Sequence, residues 1–409
     1  MIARACRFCG SPLEHDFADL GMTPLANSFL APERASAMEP FYPLRALVCA
    51  QCMLVQLEQF ETPQHIFGDY AYFSSYSTTW LEHSRRYVDE IVARFGIDHS
   101  RRVVEIASND GYLLQYFHER GVPVLGIEPA ANVANEAVRK GIPTLVEFFG
   151  ARTATALHPQ SSADLLIGNN VLAHVPDIND FVEGMKILLK PEGVITMEFP
   201  HLLRLIEEGQ FDTIYHEHFS YLSFSFTRQL FAAHGLRLFD VHEIATHGGS
   251  LRIFGCHEDA EHEDHQRAQE LLEREQAAAL GDLATYLAFA ERVESDKRDI
   301  VSFFIELKRE GLSIAGYGAP AKANTMLNSC GLGRDYVQYT VDRNPHKQGL
   351  LLPGTHIPIR PVEALAETRP DIVVILPWNL RDEIVQQLGY IRDWGGRFAA
   401  RTPTMALLQ

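Results

Sequence analysis

The chain has 409 residues, 46% of them hydrophobic and 22% charged, which is enough apolar material for two or three separate cores. Thirty-six lysines and arginines against 53 acidic residues leave a formal charge of −17, and no basic stripe interrupts it, so a nucleic-acid surface is not expected. No apolar run approaches the ~20 residues of a membrane span, and "MIARACRFCG" lacks an apolar leader core; a soluble, cytoplasmic protein with no membrane partner is expected.

Residues 1–70 carry Pro24, Pro32, Pro40, Pro43 and Pro63, show little periodicity, and read as a loop-rich module. Two knuckles, "CRFC" (Cys6, Cys9) and "CAQC" (Cys49, Cys52), supply four thiolates, a set suited to tetrahedral Zn²⁺ with no open position for substrate. Two disulfides or one redox pair are the competing readings. Cys256 and Cys330 stand alone in apolar surroundings, as buried packing residues do. The aromatic, hydroxyl-rich "YAYFSSYSTTW" leads into a helix, "LEHSRRYVDEIVARFG".

From Arg102 the pattern alternates. "RVVEIAS", "VLGIEPA", "TLVEFF", "ADLLIGNNVL" and "GVITMEFP" read as strands. "DGYLLQYFHERG", "NVANEAVRKG" and "INDFVEGMKILLKPEG" read as the helices between them. "LRLFDVHEIAT" and "GGSLRIFGC" read as a terminal antiparallel pair. The result is an α/β chain with a mostly parallel, doubly wound sheet over 71–258. Residues 259–310 read as charged amphipathic helices that link or brace domains, and 311–409 as a second, smaller Rossmann-like unit.

Ligands of such sheets bind at the carboxyl ends of the strands. The first strand ends in "EIASNDG", where the acidic Glu105 sits at the strand end, Ala107 and Ser108 enter a turn, and Gly111 admits close backbone approach. Glu128 and Pro129 close the second strand, where a carboxylate can take both ribose hydroxyls. Glu147 and Phe148 would close over the adenine, and Asn169 of "GNNVLAHV" would line the methionine side. This order resembles the class I S-adenosylmethionine-dependent methyltransferase layout and is not the GxGxxG of a dinucleotide fold. In the last unit, "GYGAPAKANT" places Gly318, Lys322 and Asn324 at a strand-to-helix turn. A diphosphate cradle is expected there, a plain structural turn being the alternative.

"CRFCG…LGMTPLANSFL…CAQCMLVQL", "YAYFSSYS", "VVEIASNDGYLL", "YHEHFSYLS", "HGGSLRIF" and "GYGAPAKANT", taken in order over nearly the whole chain, resemble the sugar C-methyltransferases of nucleotide-linked 4-keto deoxysugars. The resemblance implies a Cys₄ zinc module, a class I methyltransferase Rossmann-like core and a C-terminal Rossmann-like domain. It implies S-adenosylmethionine and structural Zn²⁺ as cofactors, and a dTDP-4-keto sugar methylated at C3 in deoxysugar or antibiotic biosynthesis. Ala107 stands where that family commonly has glycine. The resemblance places the acid–base work on Tyr215, Glu217 and His218, supported by His174 and by Tyr70, with Tyr72 the neighbouring candidate. His218 is the expected base and Tyr215 the enolate donor, with the reverse assignment left open. "HGGSLR" brings Gly249, Ser250 and Arg252 toward substrate, or simply opens a terminal strand. His216 beside His218 raises a metal pair, for which no carboxylate partner is evident. A small-molecule O- or N-methyltransferase, a nucleotide-sugar oxidoreductase and a non-catalytic zinc adaptor are the rival functions. The nucleotide, the stereochemistry, C3 versus C5 methylation and the oligomeric state leave no trace in the sequence.

Overall fold

The structure, a computed structural model, describes residues 4–68, 73–76, 78–401 and 403–408; Tyr70 and Tyr72 lie outside them. The described residues form three sheets. Strands β1 (His15–Thr23), β2 (Tyr42–Val48) and β3 (Val55–Leu57) form an antiparallel sheet with a two-residue fourth strand from far downstream. The sequence reading made this region loop-rich, and the sheet corrects it. Register shifts between Asp16 and Ala18 and between Asp19 and Met22 break the two-residue alternation that would have announced β1.

The second sheet contains β4 (Val103–Ile106), β5 (Val124–Ile127), β6 (Thr144–Leu145), β7 (Ala163–Asn169) and β8 (Leu189–Pro200). Next in the chain comes β9 (Ser220–Tyr221), the fourth strand of the N-terminal sheet, where Val55 faces Tyr221. β10 (Leu236–Ile244) and β11 (Ser250–His257) complete the second sheet in the order β10-β11-β8-β7-β4-β5-β6. Strands β4 to β8 pair in parallel, while β11 runs antiparallel between β8 and β10, the class I methyltransferase arrangement. Strand order reverses between β4 and β7, so the carboxyl ends of these two strands open the ligand crevice. Three local readings need correcting. The expected third strand stops at Leu145, so Glu147 and Phe148 sit on a loop; the first helix shrinks to Leu114–His118; and a helix at Ala151–Leu157 went unread.

The third sheet comprises β12 (Ile314–Tyr317), β13 (Thr340–Val341), β14 (Ile359–Arg360), β15 (Ile372–Ile375), β16 (Arg397–Arg401) and β17 (Met405–Leu407). It is parallel except for β17, in the order β14-β13-β12-β15-β16-β17. Helices at Gln266–Ala277 and Leu283–Arg309 precede it. The longer one buries Tyr286, Phe289, Val293, Ile300 and Phe304 in one core shared with β1–β3 and the third sheet. Phe289 stacks on Phe17 of β1 at 4.5 Å between ring centres. That helix is therefore a brace tying the first and last units together.

Candidate active site

The zinc module has a defined geometry. Gly10 and Met53 take left-handed φ values of 74° and 59°, letting their amides donate to the Cys6 and Cys49 carbonyls, both at 2.9 Å. These turns bring the four sulfurs within 4.8 Å of one another, with Cys6–Cys52 and Cys9–Cys49 each 3.6 Å apart and Cys9–Cys52 3.7 Å. Metal–sulfur bonds of about 2.3 Å in a tetrahedron demand sulfur separations of about 3.8 Å, whereas a disulfide needs about 2.05 Å. All six cysteines are free, so the thiol set fits zinc and the disulfide reading falls. Among the described residues no histidine joins a metal cluster. His216 instead bonds the Pro43 carbonyl at 3.2 Å and packs against the Tyr42 and Phe60 rings.

Beyond β4 and β5, the buried Ser108 Oγ, Asp110 Oδ1 and Asn169 Oδ1 lack a hydrogen bond among the described residues, while the fully buried Glu105 carboxyl faces the Tyr112 hydroxyl. Unmet buried polar atoms gathered at these strand ends suit a polar ligand, since leaving them unmet costs ~1–3 kcal/mol each. Ala107, Asn109, Gly111 and Asn170 all hold φ between 50° and 75°, which curls the backbone tightly around that space. Burial pushes the Glu128 carboxyl up, while its oxygens accept the Ala130 and Asn109 amides, both at 2.9 Å. A Cβ on Gly126 would meet Ser108 Oγ at 2.4 Å, so only glycine lets β5 approach this loop. These residues fit S-adenosylmethionine. Glu147 is exposed and paired with Arg152 at 3.2 Å, and the Phe148 carbonyl accepts from Thr153.

Below β8 lies the "YHEHFSYLS" loop. His218 Nδ1 donates to the Thr213 carbonyl at 3.0 Å, and His174 Nδ1 donates to the Glu217 carbonyl at 2.7 Å. These bonds assign the Nδ1–H tautomer to both rings. The ring centres stand 4.7 Å apart, and Tyr215 lies 4.0 Å from His218 on its other side. Burial holds both imidazoles neutral, His174 lowered to about 4 and His218 well below the usual histidine range, with His174 adding to the effect on His218. Burial, with Glu217 nearby, raises the Tyr215 hydroxyl well above its ordinary value, so it stays an O–H donor at neutral pH. Glu217 rises to about 7, chiefly from burial, opposed by Asn27 and Lys347. Asn27 Nδ2, from the zinc module, donates to Glu217 Oε1 at 2.7 Å.

The third unit closes the site. Gly318 (φ 91°) turns after β12, and a Cβ there would meet Pro377 Cδ at 2.6 Å. Lys322 donates to Asn379 at 2.8 Å and lies 4.3 Å over the Trp378 ring; burial lowers it to about 8. Lys347 donates to the Ala319 carbonyl and sits 5.0 Å over Phe29, also lowered by burial. Asn324 donates to the Ala26 carbonyl at 2.6 Å, its own oxygen unmet among the described residues, and Thr325 bonds the Ile214 carbonyl. Arg252 reaches a different partner: it forms an ion pair with buried Glu198, lies 4.5 Å over the Tyr87 ring, and shares Glu198 with His83. Ser250 Oγ bonds the Thr246 carbonyl, and Gly249 packs on Arg204. Asn27, Lys347, Trp378 and Glu198 escaped the sequence reading. "PLANSF" and "RNPHKQG" carried the first two, but nothing local joined them to residue 217.

Three family descriptions cover the chain in sequence order: a zinc binding domain at residues 6–67, a methyltransferase domain at 80–241 and a C-methyltransferase C-terminal domain at 245–403. The chain is 37% identical over 402 residues, 97% of its length and 95% of the other's, to C-methyltransferase NovU of Streptomyces niveus. A ubiquinone biosynthesis O-methyltransferase of Rhodopseudomonas palustris (strain BisA53) is 29% identical over 97 residues, 24% of this chain and 38% of that one. Among solved structures, the PH0226 protein of Pyrococcus horikoshii OT3 matches at a TM-score of 0.38 and 13% identity, covering 48% of this chain and 99% of that one. Magnesium protoporphyrin IX methyltransferase of Synechocystis PCC 6803 with bound SAM matches at 0.34 and 13%, covering 43% and 78%. With the thiol set, the methyl-donor crevice and the near-complete match in register, this chain belongs to the zinc-containing, S-adenosylmethionine-dependent C-methyltransferases.

Proposed function

We propose that this enzyme methylates the carbon next to the ketone of a nucleotide-linked 4-keto deoxysugar, dTDP-linked and methylated at C3, in a deoxysugar or antibiotic pathway. The observation that carries the reading is the neutral His218 imidazole. It is fixed through Nδ1 on Thr213, packed between His174 and Tyr215, and placed after the fifth strand of the methyl-donor sheet. A carbon acid needs a base whose lone pair is available near pH 7, and Nε2 of this tautomer provides one.

When bound, S-adenosylmethionine supplies an electrophilic methyl group. His218 Nε2 takes the proton from the acceptor carbon, and the C–H electron pair becomes the C=C bond of an enolate. The carbonyl π pair moves to oxygen, where the Tyr215 hydroxyl donates. That enolate carbon would be the acceptor of the methyl group that S-adenosylmethionine, held at Glu105, Ser108, Glu128 and Asn169, would supply, the methyl–sulfur bond being the one broken. The raised hydroxyl of Tyr215 and the neutral ring of His218 favour this division of labour over its reverse. His174 and Glu217 hold the base and its loop. Lys322 and Lys347 support a diphosphate-bearing substrate: among the described residues neither stands within ion-pair distance of a carboxylate, Asp212 acting on Lys322 and Asp342 and Glu217 on Lys347 only from farther off, and a buried ammonium so weakly paired favours an anionic ligand.

Mass spectrometry of dTDP-4-keto deoxysugars incubated with enzyme and S-adenosylmethionine in D₂O tests the proposal. One added methyl, together with deuterium entering the acceptor carbon of the unmethylated sugar by reversible enolisation, supports it, and His218→Asn should abolish the exchange. Exchange retained in that variant transfers the base role to Tyr215. Methylation of oxygen or nitrogen without exchange would establish the rival methyltransferase reading.

A further inference from the structure

Arg7 sits between the zinc ligands Cys6 and Cys9, yet its side chain points away from the knuckle and into the catalytic loops. Nη1 donates to the Pro176 carbonyl at 2.8 Å, two residues after His174. Nη2 donates to the Leu57 carbonyl, on the strand that pairs with β9. The guanidinium lies 5.4 Å from the centre of the Phe219 ring, directly after His218. The Arg7 backbone is held just as firmly: its amide donates to Gln56 Oε1, whose amide nitrogen in turn reaches Cys6 Sγ at 3.1 Å, and Asn179 donates to the carbonyls of Arg7 and Phe8. One planar cation thus touches both chain segments whose histidines stand 4.7 Å apart.

We infer that Arg7 is a positioning residue for the His174–His218 pair, through which the zinc knuckle sets the geometry of the acid–base centre. The charges agree with that role. The Cys6 sulfur and Asp177 are the charges that act on its guanidinium. Four thiolates on one Zn²⁺ leave a net double negative charge, a strong counter-ion for a half-buried guanidinium. The fork geometry matters as well. Two carbonyls on different segments need two N–H groups in a fixed plane, which arginine offers and lysine does not. The "YHEHF" loop is additionally stitched to the module through Leu57 N–H to the Phe219 carbonyl at 3.1 Å and Asn27 to Glu217, so Arg7 orders segments already adjacent rather than creating the contact.

This inference rests on the reading of His174 and His218 as the acid–base pair, but its test uses no sugar substrate, so the two can fail separately. Wild type, Arg7→Met and Arg7→Lys are each brought to one zinc per chain by metal analysis and compared by amide hydrogen exchange. The expected result is exchange about tenfold faster in residues 171–178 and 213–221 of Arg7→Met, with β1–β3 protected as in wild type and S-adenosylmethionine affinity within about twofold. Where Arg7→Met sheds its zinc, Arg7→Lys decides alone, since it keeps the charge beside the thiolates and loses the fork. Local loosening of both segments at full zinc supports the inference. Wild-type protection in both, or loosening that spreads through β1–β3 at full zinc occupancy, overturns it.

Discussion

Replacing Glu217 with glutamine should make the protein more stable at alkaline pH while removing activity. The carboxyl is buried, accepts one hydrogen bond from Asn27, and is raised from its ordinary 4.5 to about 7, mainly by desolvation. Its folded-state value lies above its unfolded value, so the native state holds the proton more tightly. The associated stability is fully present below about pH 4.5 and is lost as pH rises through about 7. A shift of that size corresponds to a cost of about 3 kcal/mol at pH 8.5, against under 1 kcal/mol at pH 5. Glutamine keeps the oxygen that accepts from Asn27 and never ionises. Urea unfolding of both proteins at the two pH values, followed by tryptophan fluorescence, should show a gain for Glu217→Gln that grows by about 2 kcal/mol from pH 5 to 8.5. A gain independent of pH, or none at pH 8.5, would refute the reasoning and mean that the carboxylate is solvated or fully paired.

Ala107→Gly should stabilise the protein by about 1 kcal/mol in thermal melts, because Ala107 holds φ 55° where a Cβ is strained. Gly126→Ala should lose S-adenosylmethionine binding by calorimetry, since its Cβ would stand 2.4 Å from Ser108 Oγ. Because Lys322 is lowered to about 8, substrate KM should rise as pH passes about 8 while kcat holds, and Lys322→Met should show the high KM at every pH. Stripping zinc with a chelator should expose Cys6, Cys9, Cys49 and Cys52 to alkylation and release the β3–β9 pairing, read by exchange at residues 219–221.

The parallel strands of the second sheet were legible because they are buried on both faces. β4, all four residues buried, and β7, all seven, read as mostly apolar runs, interrupted by Glu105 in the first and Asp164 in the second, and ended by glycine or asparagine turns. β1 was illegible for the opposite reason. Its bulges scramble the alternation, and its core partners Tyr286 and Phe289 lie more than 260 residues away, so no window along the chain contains both halves of the pattern. The short helix after Gly150 carries "ARTATAL", with two threonines and no apolar stripe long enough to show a period.

The active site divides along the same line. The methyl-donor crevice was readable because its residues hang from consecutive strand ends, where a turn sequence such as "SNDG" states its own backbone geometry. The proposed acid–base centre was readable only in part, since "YHEHF" supplies the groups proposed to react and says nothing of what holds them. Those holders come from both ends of the chain: Arg7 and Asn27 from the zinc module, Lys322, Lys347 and Trp378 from the last unit. Trp378 donates to Asp212 at 2.6 Å, one residue before the carbonyl that fixes His218, and Arg401 reaches the same carboxylate. Removing the proton from a carbon acid requires a base kept neutral and dry, and a single doubly wound sheet with an open edge cannot exclude water on its own. The zinc module and the C-terminal unit supply the missing walls, and the 27-residue brace at Leu283–Arg309 keeps those walls together.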